Sequence, residues 1–98
     1  MPFLDPAEPI RVAPDWVCEV LSPTTRAYDR RVKLPYYARI GVSHCWVIDP
    51  DARTLEVKRL VAGAWTDIAV LADDEVARVE PFEEVGIELA DLWLPLGR

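Results

Sequence analysis

Hydrophobic and polar positions alternate along several short stretches of this chain, and the first of them predicts a β-strand over residues 15–21. Alternate side chains of a strand point to opposite faces, so Glu19 lies between Val17 and Leu21 on one face. Both faces are otherwise rich in apolar residues, which is typical of a strand covered on two sides. A carboxylate there needs a metal ion, a cation or hydrogen bonds, unless Glu19 emerges into solvent at the strand's end or meets an arginine structurally.

A helix is predicted to follow this strand, from about Ala27 to Arg39, with Gly41 as its stop signal. Pro35 interrupts the helical pattern because proline lacks a backbone donor, so the helix should kink there or start afresh near Leu34. The expected packed face consists of apolar residues at a spacing of four: Tyr28, Val32, Tyr36 and Ile40.

The rest of the chain has the pattern of short strands. Clear alternation or apolar runs predict strands over residues 43–49, 54–61 and 65–71, the second of them half-exposed because charged residues alternate with apolar ones. Weaker signals predict a short strand over residues 75–80, and a last strand or a short closing helix within residues 87–94.

The order of these elements predicts a βαβ crossover followed by an antiparallel meander. The fold class is therefore α/β, or α+β, with a mixed sheet. Proline-rich residues 1–13 are expected to form an extended lead-in. The whole chain, residues 1–98, is expected to be a single domain, because 51% hydrophobic residues and four tryptophans suffice for one small core.

The composition of the chain indicates its cellular compartment and the oxidation state of its cysteines. No apolar run approaches the roughly 20 residues that cross a bilayer, and the N-terminus lacks a basic stretch followed by an apolar one. A cytoplasmic protein without a membrane partner is therefore expected. Cys18 and Cys45 lack the paired spacing of a zinc site and are expected to be reduced, buried thiols.

Charge is unevenly distributed along the chain. A net charge of −6 argues against binding nucleic acid by bulk electrostatics. However, residues 26–39 hold five bases against one acid, and residues 67–91 hold nine acids against one base. The basic segment could meet phosphates, be a solvated helix face, or pair with the acidic segment inside the fold or across a dimer.

One pair of charged residues suggests chemistry. Asp29 and Lys33 share a helix face at a spacing of four, and Lys33 can lean over the end of the preceding strand if the helix packs across it. Tyr36 or Tyr37 could orient this lysine. A strand acid beside a lysine is an arrangement suited to phosphodiester hydrolysis, in which carboxylates hold Mg²⁺ and an ammonium stabilises developing negative charge. From the residues alone this is one option among several.

Three motifs resemble a known family: "PDWVCEVLSP", "YDRRVKLPYYARIGV" and "CWVIDP", in this order within residues 13–60. Their order and spacing resemble those of the bacterial Uma family of endonucleases, in the restriction-endonuclease-like PD-(D/E)xK superfamily. The resemblance implies a nuclease-like sheet core with flanking helices. It also implies Mg²⁺-dependent endonuclease chemistry on nucleic acid, with DNA a more probable substrate than RNA.

The resemblance assigns roles to particular residues. Glu19 matches the acidic ligand of the (D/E)xK strand, and Lys33 matches a lysine that has moved to the helix, because Leu21 occupies its usual place. These two are the candidate catalytic residues, and Asp29 and Tyr37 are possible supporting residues. Asp15 is a second candidate metal ligand, although it lies about 13 Å from Glu19 along the same strand and could instead simply begin that strand.

Family members generally carry a longer segment before these motifs, which includes the usual metal-binding Asp. The resemblance therefore implies that this chain is the C-terminal portion of a restriction-endonuclease-like core, inactive as a fragment if that Asp is essential. Two alternatives stay open at this point. One is a non-catalytic interaction module that acts as a homodimer, and the other is an enzyme that is complete only when two chains combine.

Overall fold

The computed structural model describes residues 14–93, so the predicted lead-in and Leu94 lie outside the described residues. A four-stranded sheet forms its centre, with the strands side by side in chain order. The strands of this sheet are β1 (Trp16–Val20), β2 (His44–Asp49), β3 (Thr54–Val61) and β4 (Ala64–Ala72).

The predicted topology is confirmed. Strand β1 pairs with β2 in parallel, whereas β2 with β3 and β3 with β4 are antiparallel, which makes a βαβ crossover followed by a meander. In this register Glu19 of β1 lies beside Val47 of β2, which in turn lies beside Glu56 of β3. These three residues form one row across the sheet, on the face that the helix covers.

The helix between β1 and β2 is continuous but not uniform. It begins as α1 (Arg26–Tyr28), widens into a π-helical segment over Asp29–Lys33 and continues as α2 (Leu34–Arg39). The Leu34 N–H bonds to the Asp29 carbonyl, five residues back. Pro35 lies in the first turn of α2, so the interruption predicted near Leu34 is a change from π-helical to α-helical geometry within a continuous helix rather than a fresh start.

The predicted packed face of the helix is wrong in its N-terminal half. Tyr28 and Val32 are 52% and 41% exposed instead of buried. A π-helical turn takes about one residue more than the roughly 3.6 of an α-helix, so the face that points to the sheet shifts by about one residue across this segment. The line that faces the sheet therefore consists of Asp29, Lys33 and Tyr37.

Both faces of the sheet are covered, as the pattern of β1 predicted. The helix packs on one face, over buried residues that include Val17, Cys45 and Val47. On the other face lie two short strands, β5 (Val76–Ala77) and β6 (Ile87–Glu88), and a closing turn of helix, α3 (Ala90–Trp93). The C-terminal stretch therefore provides both the predicted strand and the predicted helix.

The two cysteines are free thiols, as predicted, and Cys45 is buried as predicted, whereas Cys18 is only partly buried. Cys45 faces the helix and Cys18 faces the C-terminal layer, so the sheet separates them. Burial, with a further contribution from the Glu19 carboxylate, raises the pKa of Cys18 to about 11 and that of Cys45 to about 12. Within residues 14–93, no helix is long and apolar enough to span a bilayer.

The half-exposed character predicted for β3 holds at Arg59 but is wrong at Glu56 and Lys58. Lys58 is buried, and Glu56 is largely covered beneath the helix. Burial is tolerated because the charges are paired: Arg30 of the helix lies 2.6 Å from a Glu56 oxygen, Lys58 lies 3.1 Å from the other, and Lys58 also contacts Asp67 of β4.

Glu56 should make the stability of the domain depend on pH. The hydrogen bond from Arg30 is the main reason that the pKa of Glu56 is lowered, against the opposing effect of burial. A lowered pKa stabilises the fold fully above the unfolded value of about 4.3, and this stabilisation is lost as the pH falls through the folded value. We expect the free energy of unfolding to fall less between about pH 5 and pH 3 in Glu56→Gln than in the wild type.

Urea unfolding at a series of pH values measures this difference. Glu84→Gln is the matched control, because Glu84 is exposed and has no ion-pair partner within residues 14–93. The same pH dependence in Glu56→Gln and wild type would contradict the assignment.

Candidate functional site

Glu19, the acid buried in the first strand, is paired with two groups from the helix. Its side chain is only 12% exposed, and Lys33 Nζ lies 3.6 Å from its Oε2 atom. The Tyr37 hydroxyl donates a hydrogen bond of 2.6 Å to its Oε1 atom. A cation and a phenol thus offset the cost of burying this carboxylate.

Asp29 is the second carboxylate of this cluster. It is buried, and its Oδ2 atom accepts a hydrogen bond of 3.1 Å from the Thr25 hydroxyl, one turn earlier. Its Oδ1 atom lies 3.2 Å from Lys33 Nζ, without the alignment of a hydrogen bond. The single ammonium of Lys33 therefore contacts carboxylates from both the helix and the strand.

These contacts determine the protonation states of Lys33 and Tyr37. Burial alone would lower the pKa of Lys33, but Asp29 and Glu19 outweigh it and raise the pKa above its ordinary value. Burial and the Glu19 carboxylate raise the pKa of Tyr37. At neutral pH Lys33 is therefore a cation and Tyr37 a hydrogen-bond donor.

The cluster opens to the surface at Lys33, whose side chain is 35% exposed. An anion can therefore approach the ammonium from solvent. Two carboxylates, one ammonium and one phenol make a site that can bind a hard cation through oxygen and an anionic group through nitrogen.

The structure brings together four of the five site residues proposed from the sequence: Glu19, Lys33, Asp29 and Tyr37. The fifth, Asp15, is exposed before the start of β1, about 13 Å along the strand from Glu19, and lies outside this cluster. Its role as a metal ligand stays a prediction. Within residues 14–93, no group of three or more acidic, histidine or cysteine side chains is placed to hold a metal ion.

Sequence reasoning missed the ion-pair network beside the site. Arg30 reaches from the π-helical segment to Glu56, and its two terminal guanidinium nitrogens donate hydrogen bonds of 3.2 and 2.6 Å to the two carboxylate oxygens. It therefore binds the helix to β3 on one side, while Lys33 binds it to β1 on the other. The signal that could have revealed it is the alternation of β3, which places Glu56 and Lys58 on one face.

The two adjacent tyrosines allow a matched test of the Tyr37 contact. The Tyr37 hydroxyl bonds to Glu19, whereas the Tyr36 hydroxyl is buried with no partner in the described part of the chain. Tyr37→Phe should lower the free energy of unfolding by roughly 1.5–3 kcal/mol, the usual range for a hydrogen bond to a charged group. Tyr36→Phe should be neutral or stabilising. Urea unfolding measures both, and equal effects of the two changes would contradict the contact.

This chain matches one family profile and is similar to a solved structure. The sequence profile of the Uma2 family, described as "Putative restriction endonuclease", matches residues 4–92. The crystal structure of a "putative nuclease" from Anabaena variabilis matches with a TM-score of 0.63 and 28% sequence identity. A comparison with curated proteins gave no match.

The structural match covers 84% of this chain and 45% of the Anabaena variabilis chain, so this chain spans less than half the length of that protein. The family match, in contrast, extends over nearly the whole sequence. It includes the first strand, the helix and the cluster that they form between them. The chain therefore belongs to the Uma2 family.

Proposed function

We propose that this chain contributes the strand acid and the lysine of a Mg²⁺-dependent endonuclease of the PD-(D/E)xK type, which hydrolyses phosphodiester bonds in nucleic acid, with DNA as the preferred substrate. One observation carries this proposal. The helix lysine Lys33 lies against the strand acid Glu19 and against a second carboxylate, Asp29, at an opening to the surface.

The carboxylates of the cluster fit magnesium. Mg²⁺ prefers hard oxygen ligands and is commonly bound through one or two carboxylates, with waters and substrate phosphates completing the shell. Glu19 would hold the ion, and Asp29 is the nearest second carboxylate, with a buried Oδ1 atom that accepts no hydrogen bond. When bound, the metal would polarise the phosphate and lower the pKa of an attacking water.

The protein's own side chains supply the rest of the chemistry. The Lys33 ammonium is placed to donate to a phosphate oxygen and to stabilise the negative charge that develops on it. Tyr37 fixes one oxygen of Glu19 and so orients the carboxylate. Asp29 and Glu19 together keep Lys33 protonated and hold it at the mouth of the cluster.

Cleavage of supercoiled plasmid by the purified chain tests this proposal. Mg²⁺ or Mn²⁺ should support nicking, and EDTA should abolish it. Glu19→Gln should lose activity, whereas Glu80→Gln should keep it, because Glu80 pairs with Arg59 and His44, away from the cluster.

Three outcomes would count against the proposal. No cleavage by a folded wild type would mean that this chain does not contain a working site, and would favour a non-catalytic module. Cleavage in the presence of EDTA would exclude the metal. Equal activity of the two variants would place the chemistry elsewhere.

A further inference from the structure

The outer side of the helix forms a surface that the site does not use. Six residues along its length are exposed and lie on one face, which we call the outer helix face: Ala27, Tyr28, Arg31, Val32, Pro35 and Arg39. The helix has a single acid, Asp29, and that acid is turned inward and buried. The outer helix face therefore carries positive charge without negative charge.

The arginines of this face form no ion pair within residues 14–93. Residues 14–93 contain nine lysines and arginines, and five of them form ion pairs: Arg26, Arg30, Lys33, Lys58 and Arg59. The other four, without an ion pair in this part of the chain, are Arg31, Arg39, Arg53 and Arg78. Two of these four thus lie on the outer helix face.

Arg39 is also held in place. Its guanidinium carbon lies 5.8 Å from the centroid of the Tyr36 ring, which is a cation–π contact. Tyr36 itself is buried, so it gives the guanidinium a fixed support. An arginine held in this way loses less freedom when it binds an anion than a fully mobile one does.

We propose that the outer helix face binds the phosphate backbone of a nucleic acid strand, with Arg31 and Arg39 each contacting a phosphate. This inference rests on the proposed function and assigns its substrate to a surface. Charge complementarity supports it: in a chain of net charge −6, this face carries two arginines without an ion pair in the described residues and no acid.

The geometry of the face suits such a strand. Arg31 and Arg39 are eight residues apart, or about 12 Å along the helix axis, so they contact different phosphates. The planar guanidinium group matches the oxygens of a phosphate. Tyr28, exposed on the same face, offers a ring on which an unpaired base can stack.

The salt dependence of binding tests this proposal. Fluorescence anisotropy would follow a labelled 20-nucleotide strand, single or paired, in EDTA so that no cleavage occurs. The double variant R31Q/R39Q is compared with R53Q/R78Q, which removes the same charge from unpaired arginines elsewhere. Log Kobs falls as log salt rises, and each lost phosphate contact makes this negative slope shallower by about 0.7 for single strands and about 0.9 for duplex.

We expect R31Q/R39Q to make this slope shallower by about 1.4 to 1.8, and R53Q/R78Q to leave it close to the wild-type value. Equal effects of the two variants, or no binding by the folded wild type, would overturn the inference. So would a change of oligomeric state in R31Q/R39Q without a change in binding, because that result would make the outer helix face a protein contact.

This test is separate from the test of cleavage. A protein that binds nucleic acid through these arginines but does not cleave it would refute the proposed function and leave this inference standing. A protein that cleaves without any dependence on Arg31 and Arg39 would refute this inference alone.

Discussion

Lys33→Met is expected to reduce metal-dependent cleavage by about 100-fold or more, the usual consequence of removing a group that stabilises charge in the transition state. The side chain of methionine has a similar length but no charge, so the change removes the ammonium and little else. Lys33→Arg should recover only part of the activity, because a planar guanidinium cannot replace a compact ammonium between two carboxylates.

Lys33→Met should also lower the stability of the folded domain. Without Lys33, Glu19 and Asp29 keep their mutual repulsion and lose their common cation, and Asp29 is buried. We expect the free energy of unfolding to fall by roughly 1–3 kcal/mol. Thermal unfolding must therefore accompany the assay, so that cleavage is measured at a temperature where both proteins are folded.

Arg59→Met is the matched control for Lys33→Met. Arg59 is a partly exposed cation that contacts Glu80 at 3.0 Å, outside the cluster. Its replacement should change cleavage by less than about twofold, because a surface ion pair contributes little. An equal loss of cleavage in the two variants would contradict a specific role for Lys33.

Leu55→Ala is expected to have the largest effect on stability, about 2–5 kcal/mol. Leu55, the second residue of β3, has 0% exposure and packs against the layer formed by β5, β6 and α3. The substitution removes apolar contacts and leaves a cavity that this small domain can fill only in part. Total stabilities of such domains are about 5–15 kcal/mol, so the loss is a large fraction.

Val70→Ala on β4 is the comparison for this prediction. Val70 is 61% exposed, and a surface change of this kind should stay within about 0.5 kcal/mol. Urea unfolding of both variants, with the midpoint and slope fitted together, measures the difference. A loss below 1 kcal/mol in Leu55→Ala would mean that the C-terminal layer contributes little to the fold.

The sheet and the helix were predictable because their signals are local. Alternation located the strands, and Pro35 with Gly41 located the change of helical geometry at Leu34 and the end of the helix. The faces of the helix were not predictable, because the π-helical segment depends on contacts outside the helix. Arg30 and Lys33 reach β3 and β1 respectively, and no periodicity within residues 26–39 contains that information.

The site was predictable to the extent that spacing and family resemblance located it. The i, i+4 pair Asp29 and Lys33 and the buried acid Glu19 each had a sequence signal, and the resemblance joined them. The ion pair between Arg30 and Glu56 could not be assigned, because these residues are separated by 26 positions and the alternation of β3 shows only that Glu56 and Lys58 share a face. Alternating charged residues in β3 suggested solvent exposure, whereas partners from the helix and from β4 allow them to be buried.

We expect Glu19 and Lys33 to act as one catalytic site. Single-turnover cleavage by Glu19→Gln, Lys33→Met and the double variant, beside wild type, tests it most directly. Residues that act as a unit show losses that do not multiply. We expect wild type to cleave, each single variant to be slow, and the double variant to be about as slow as the slower single one. Losses that multiply, or a folded wild type that does not cleave, would contradict it.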